Sequence, residues 1–261
     1  MKIAVITLFP ALIEEFTRHG ILSRGVANGL LSVNTYNPRD YTEDTHRTVD
    51  DRPYGGGPGM VMKVGPLKAA IEDAVADLGK CVRPLVVFLS PQGQKFTQSR
   101  AREWSIADRP LVLIAGRYEG VDERLIERFV DCEISIGDYV LSGGEIGAMA
   151  VVDAVARLLP GVAGNEESVK ADSFGEDGLL DHPHYTRPET LDGEQVPDVL
   201  TSGDHLRIRQ WRRQQALQRT AQRRPDLLTR AVNNGLLQQQ DLDYVGMLGW
   251  SVDEQCGDTK E

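Results

Sequence analysis

Over the first 160 positions, apolar residues come in short continuous runs separated by stretches with helical periodicity. The run inside 2–8, Ile3-Ala4-Val5-Ile6, reads as a buried strand. Residues 10–19 read as a helix with Leu12, Ile13 and Phe16 turned inward. A second short helix is expected over 21–31, a short strand over 31–36, and a helix over 66–78 with Pro66 in its first turn. Leu85-Val86-Val87-Phe88-Leu89 and Leu111-Val112-Leu113-Ile114-Ala115 are apolar throughout, as strands buried on both faces require. Helices are expected after them at 97–106 and 121–129, then a strand over 133–136 and a helix over 145–159. This alternation predicts an α/β domain with a mostly parallel sheet.

Three of the expected strands end in loops rich in glycine or proline: Ser90-Pro91-Gln92-Gly93, Gly116-Arg117-Tyr118-Glu119-Gly120, and Gly137 to Gly144. Ligands of parallel sheets sit at the carboxyl ends of strands, so these loops are placed to wall one pocket. Gly137, Gly143 and Gly144 permit close backbone approach to a ligand; a tight strand-to-helix connection asks for the same glycines. Residues 37–59 read as a long polar loop carrying Gly55-Gly56-Gly57. No Lys-Ser/Thr follows at phosphate-loop spacing, and no Gly-x-Gly-x-x-Gly closes the first strand. Neither a Walker site nor a standard dinucleotide site is expected.

Beyond Pro160-Gly161 the composition changes. Residues 162–178 are polar, acidic and glycine-containing, the composition of a flexible linker. Asp204 is placed to cap a helix over 205–222, with further helices over 226–233 and 241–248. The chain has 261 residues and a net charge of −10, which argues against a generally basic nucleic-acid binder. Residues 204–230, however, carry eight arginines against two aspartates. Arg212, Arg219 and Arg223 share one helical face, opposite Leu206, Leu217 and Ala221. Such a face is either simply solvated or binds RNA or another polyanion; the exclusive use of arginine, with Trp211 among it, favours the second. The three cysteines are far apart, without ligand spacing, so neither disulfides nor structural zinc is expected, and a reducing cytoplasm is the default. No apolar run has membrane length. His182 and His184 stand two apart with no third ligand evident, so no metal site is expected there.

Several stretches together resemble the bacterial tRNA (guanine-N1)-methyltransferases of the SPOUT class: Val49–Met60, Leu89–Gly93, Gly116–Arg124, Ser135–Glu145, Asp153–Arg157 and Pro183–Pro188. The resemblance runs from Met1 to about residue 245 and implies properties that patterning does not. The fold would be an α/β domain with a deep trefoil knot over 1–161, a linker over 162–178 and a helical tRNA-binding domain over 179–250. An acidic tail over 251–261 would follow. S-adenosylmethionine would lie against Ser90, Pro91, Gly116, Tyr118, Glu119, Ile136, Gly137, Asp138, Tyr139, Val140, Leu141, Gly143 and Gly144. Asp172 would be the general base, and Arg157 would orient the guanine and stabilise charge on O6. Arg212, Arg219 and Arg223 would contact tRNA. The partner would be a second copy of the chain, each base reaching the cofactor held by the other subunit. Magnesium would serve as an RNA counter-ion or in the reaction. Position 147 is glycine where the family often has proline. A non-catalytic RNA-binding module, or a SPOUT enzyme for another RNA, are the alternative readings. The expected chemistry suits these residues: guanine N1 bears a hydrogen and needs a base, and O6 needs a cationic partner.

Overall fold

The computed structural model describes residues 1–164 and 171–250 of the chain. The chain divides into two compact units, Met1–Glu166 and Glu167–Glu261. The middle of the expected linker, 165–170, and the acidic tail, 251–261, lie outside the described residues.

The first unit is built on a five-stranded parallel sheet. Its strands are β1 (Lys2–Ile6), β2 (Ser32–Tyr36), β5 (Leu85–Lys95), β6 (Leu111–Ala115) and β7 (Cys132–Ser135), in the order β2-β1-β6-β5-β7. Side chains alternate across its three central strands. Ile3, Val5, Val87, Leu89, Leu111 and Leu113 face one core, and Ala4, Ile6, Val86, Phe88, Val112 and Ile114 the other. The first core is closed by α1 (Pro10–Thr17), α2 (Gly20–Ala27), α4 (Gln98–Ala107) and α6 (Glu145–Ala156). The second is closed by α3 (Val64–Leu78) and α5 (Glu123–Phe129). Helices on both faces explain why these strands read as unbroken apolar runs. α6 is buried on most of its surface, through Gly147, Ala148, Val151, Val152, Val155 and Ala156.

Three local expectations are corrected. Leu12 is 43% exposed, and of α1 only Ile13 is fully inward, with Phe16 packing at the edge of the core. β5 does not stop at Leu89. Leu89 and Gln94 both pair with Ile134, so 90–93 bulge out and the strand resumes beside β7. A side chain at Gly93 would run into the Glu133–Ile134 backbone, so only glycine lets the chain return so closely. The third correction is that 37–59 is not without structure. A short 3-10 turn, Pro38–Tyr41, opens it, and β3 (Asp50–Asp51) pairs antiparallel with β4 (Val61–Met62). Val49 and Met62 are buried and anchor the glycine-rich stretch between them.

The second unit holds a two-residue hairpin, β8 (Thr190–Leu191) and β9 (Glu194–Gln195). Its helices are α7 (Asp198–Thr201), α8 (His205–Arg223), α9 (Pro225–Asn233) and α10 (Gln239–Met247). Leu179, Leu217, Leu228, Ala231 and Val245 make its core. Asp204 caps α8, accepting the Leu206 and Arg207 N–H groups at 3.1 Å. Leu206 itself is 59% exposed, so the apolar side of α8 begins further along, at Leu217. Of the expected linker, Val162 is fully buried in the core of the first unit. At its far end, the Phe174 N–H donates to Leu179 O at 2.8 Å, and the Leu180 N–H to Thr220 Oγ1 at 3.0 Å.

Candidate active site

The carboxyl ends of β5, β6 and β7 open into a cleft of about 340 Å³. The 90–93 bulge, the 116–121 loop and the 136–144 loop form its walls. The loops are fixed mainly by backbone bonds. The Gly144 N–H donates to Gly116 O at 2.9 Å, tying the start of α6 to the end of β6. The Glu119 N–H donates to Met60 O at 2.8 Å and the Met62 N–H to Gly120 O at 3.0 Å, so the glycine-rich hairpin backs the 116–120 loop. The Tyr139 hydroxyl donates to Ile136 O at 3.2 Å, and the Ser135 hydroxyl to Gly137 O at 3.0 Å.

Twelve of the residues expected to hold the cofactor line this one cleft: Ser90, Pro91, Gly116, Tyr118, Glu119, Ile136, Gly137, Tyr139, Val140, Leu141, Gly143 and Gly144. Asp138 does not; it points to solvent, paired with Lys95 at 2.8 Å. The glycines allow close packing that side chains would disrupt. A methyl at Gly144 would lie 2.7 Å from Ala115 Cα, and one at Gly143 would collide with the Arg117 side chain. A methyl at Gly147 would meet Leu89 Cδ1 at 3.3 Å. A polar-edged cleft of this size, with approachable backbone at strand ends, fits a nucleoside-bearing ligand.

A charged pair that patterning does not mark stands at the cleft, Arg117 in its wall and Glu145 behind it. Glu145 is 1% exposed at the first turn of α6, where the helix dipole favours a carboxylate. Arg117 Nε lies 2.9 Å from its Oε2, at ion-pair distance but outside hydrogen-bond geometry. The Thr7 hydroxyl donates to its Oε1 at 2.9 Å and accepts the Phe9 N–H at 3.0 Å. Arg117 also donates to Ser142 O at 3.0 Å and stacks over the Phe9 ring at 4.4 Å. One network thus joins the end of β1, the 116–120 loop, the 136–144 loop and the start of α6. Both residues stand inside glycine-flanked motifs, which was the available signal.

Arg157 is half-buried and caps the C-terminus of α6 in the first unit. Asp172 is half-buried in the second, where one oxygen accepts the Ser173 N–H at 3.2 Å. On α8, Arg212 and Arg223 are exposed and Arg219 half-buried. Arg213, the neighbour of Arg212, does something else. Its guanidinium donates twice to Asp241 at 2.9 Å and once to Asp177, fastening α8 to α10 and to the turn before Leu179. These bonds, the Asp241 pair first, hold the Arg213 pKa above its usual value. Burial pushes the Asp241 carboxyl up, but bonds from Arg213 and the Gln238 N–H outweigh it and leave the pKa depressed.

The family model described as tRNA (Guanine-1)-methyltransferase TrmD matches residues 1–230. The chain belongs to this family. A protein of Aeromonas hydrophila named tRNA (guanine-N(1)-)-methyltransferase is 58% identical over 228 residues, covering 87% of this chain and 90% of its own. Proteins of the same name from Chromohalobacter salexigens and Shewanella halifaxensis are 58% and 55% identical. They cover 87% and 94% of this chain, and 86% and 97% of their own lengths. The family match takes in both the cleft and α8. Among the described residues, no helix is long and apolar enough to cross a membrane.

Proposed function

We propose that this chain transfers a methyl group from S-adenosylmethionine to N1 of a tRNA guanine, the one immediately 3′ of the anticodon. The observation that carries this reading is the convergence of twelve motif residues on one cleft at the sheet's carboxyl end. The cofactor supplies a methyl already activated on a sulfonium, so positioning is the main task left to the protein. Backbone groups of 136–141 hold the adenine, and the glycine pair 143–144 lets this loop pack closely on Ala115 and Arg117. Asp172 accepts the N1 proton, and Arg157 donates to O6 as charge develops there. Arg212, Arg219 and Arg223 bind tRNA phosphates, and magnesium serves as a counter-ion of the RNA.

The working form in this reading is a homodimer in the cytoplasm, with each site shared between subunits, and the first unit carries the trefoil knot of its class. The exposed apolar side chains near the cleft support a partner surface: Val140 is 88% exposed, Tyr139 55% and Ile146 49%. The test is methylation of unmodified tRNA transcripts, with the product mapped by mass spectrometry. N1-methylguanine 3′ of the anticodon is expected. Absence of transfer, or methylation of another base, overturns the reading.

A further inference from the structure

We propose that Asp181, His182 and His184 form a binding site for a divalent transition-metal ion of the zinc class. Asp181 directly precedes the two histidines in the sequence, and the fold turns one donor atom of each of the three toward the others. One ligand atom from each residue lies within 4.8 Å of the others. His184 Nε2 is 2.8 Å from Asp181 Oδ2, and His182 Nε2 is 3.7 Å from Asp181 Oδ1. A tetrahedral ion with bonds of about 2.0–2.2 Å sets its donors about 3.3 Å apart, so small side-chain adjustments complete the triangle.

Two further observations point to a cation. His182 Nδ1 lies 3.1 Å from Pro183 O, and a carbonyl only accepts. In the tautomer that donates from Nδ1 to this carbonyl, the Nε2 lone pair faces the carboxylate. That outer hydrogen bond is how proteins fix the tautomer of a metal-bound imidazole. The segment is also held in place. Asp181 Oδ1 accepts the His182 N–H at 2.7 Å, the Asp181 N–H donates to Ser173 Oγ at 3.0 Å, and Leu180 is tied to Thr220 on α8. Asp181 and His182 are mostly buried, and the more exposed His184 closes the site from outside.

Both histidines border a cavity of about 360 Å³ that Tyr185, Arg187 and Arg212 also line. A fourth ligand enters from there, and the two guanidinium groups favour an anionic oxygen donor. Two imidazoles and one carboxylate suit zinc, cobalt or nickel, whereas magnesium demands oxygen donors. The site is independent of the methyl-transfer reading, because it is tested by metal binding alone.

The experiment uses untagged full-length protein, stripped with a chelator and titrated with Co²⁺ alone. A saturable visible absorption is expected, abolished by Zn²⁺ and unaffected by excess Mg²⁺. His182→Ala/His184→Ala should weaken Co²⁺ binding by at least about a hundredfold, since losing even supporting contacts costs 10–100-fold. His184→Ala alone, at an exposed position, should weaken binding while leaving the melting temperature in chelator unchanged. No absorption in the wild type overturns the proposal. So does equal binding by the double variant, which places the metal elsewhere, or displacement by Mg²⁺.

Discussion

At Gly144 the constraint is room rather than conformation. Its φ of −77° suits any residue, but a methyl would lie 2.7 Å from Ala115 Cα, and backbone cannot swing aside. At Gly143 the obstacle is the Arg117 side chain, which can move. Gly144→Ala is therefore expected to remove most of the thermal stabilisation given by S-adenosylmethionine, and Gly143→Ala to remove less. An unchanged ligand-induced shift in Gly144→Ala would place the cofactor elsewhere. Arg117 and Glu145 give a second case. Arg117→Ala strips a carboxylate that is 1% exposed of its cationic partner. The expected cost is roughly 2–4 kcal/mol in chemical denaturation, reaching below the about 3–5 kcal/mol of fully buried pairs because Arg117 is partly exposed. Arg117→Lys should restore part of it. Glycine spacing made the cleft legible in the sequence. The same spacing marks the motifs around Arg117 and Glu145, but nothing local says that these two residues pair or that Glu145 meets Thr7 at the end of β1.

At the level of elements, β6 spans the residues its apolar run marks, Leu111–Ala115. A strand covered by helices on both sides needs no polar face, so length and composition alone give it away. The 90–93 bulge was hidden, because Ser-Pro-Gln-Gly reads as an ending and the return of the strand depends on contact with β7. The β8–β9 hairpin was readable and passed over: Asp192-Gly193, both with positive φ, is the residue pair that a two-residue turn favours. On α8, adjacent arginines have different surroundings, Arg213 held by Asp241 and Asp177 and Arg212 exposed, which helical spacing shows only once the partner helices are placed. A triple change of Arg212, Arg219 and Arg223 to Gln is expected to weaken tRNA binding and flatten its dependence on salt, with cofactor binding unchanged. Equal affinity and salt slope would return this face to simple solvation. Arg213 belongs to stability. The depressed Asp241 carboxyl contributes fully above the unfolded value of about 3.9, and its contribution is lost as pH falls through the folded value. Asp241→Asn should cost roughly 1–3 kcal/mol at neutral pH and flatten the acid side of a stability–pH profile followed by Trp211 and Trp250 fluorescence. A profile that keeps its acid slope would show that another carboxylate sets it.

At the scale of the whole molecule, the two proposed catalytic residues belong to different compact units. Arg157 ends α6 in the first, and Asp172 stands in the second, across the 165–170 segment. A site assembled from one subunit's cleft and the other's Asp172 makes a prediction that no single-chain site can meet. Asp172→Asn keeps shape and much of the hydrogen bonding but removes the basic charge. It should bind S-adenosylmethionine and tRNA nearly normally and lose transfer by at least roughly a hundredfold. Glu176→Gln, an exposed acid nearby, is the mild control. Gly144→Ala should be inactive for the opposite reason, a spoiled cleft with the base intact. When the two variants are unfolded together and refolded, mixed dimers form. In each mixed dimer the good cleft of the Asp172→Asn subunit faces the good aspartate of the Gly144→Ala subunit, and the other site carries both lesions. With half the dimers mixed and one site in two restored, activity should recover to about a quarter of wild type. If the aspartate serves the cleft of its own chain, every site in every dimer carries a lesion, and the mixture stays as inactive as its components.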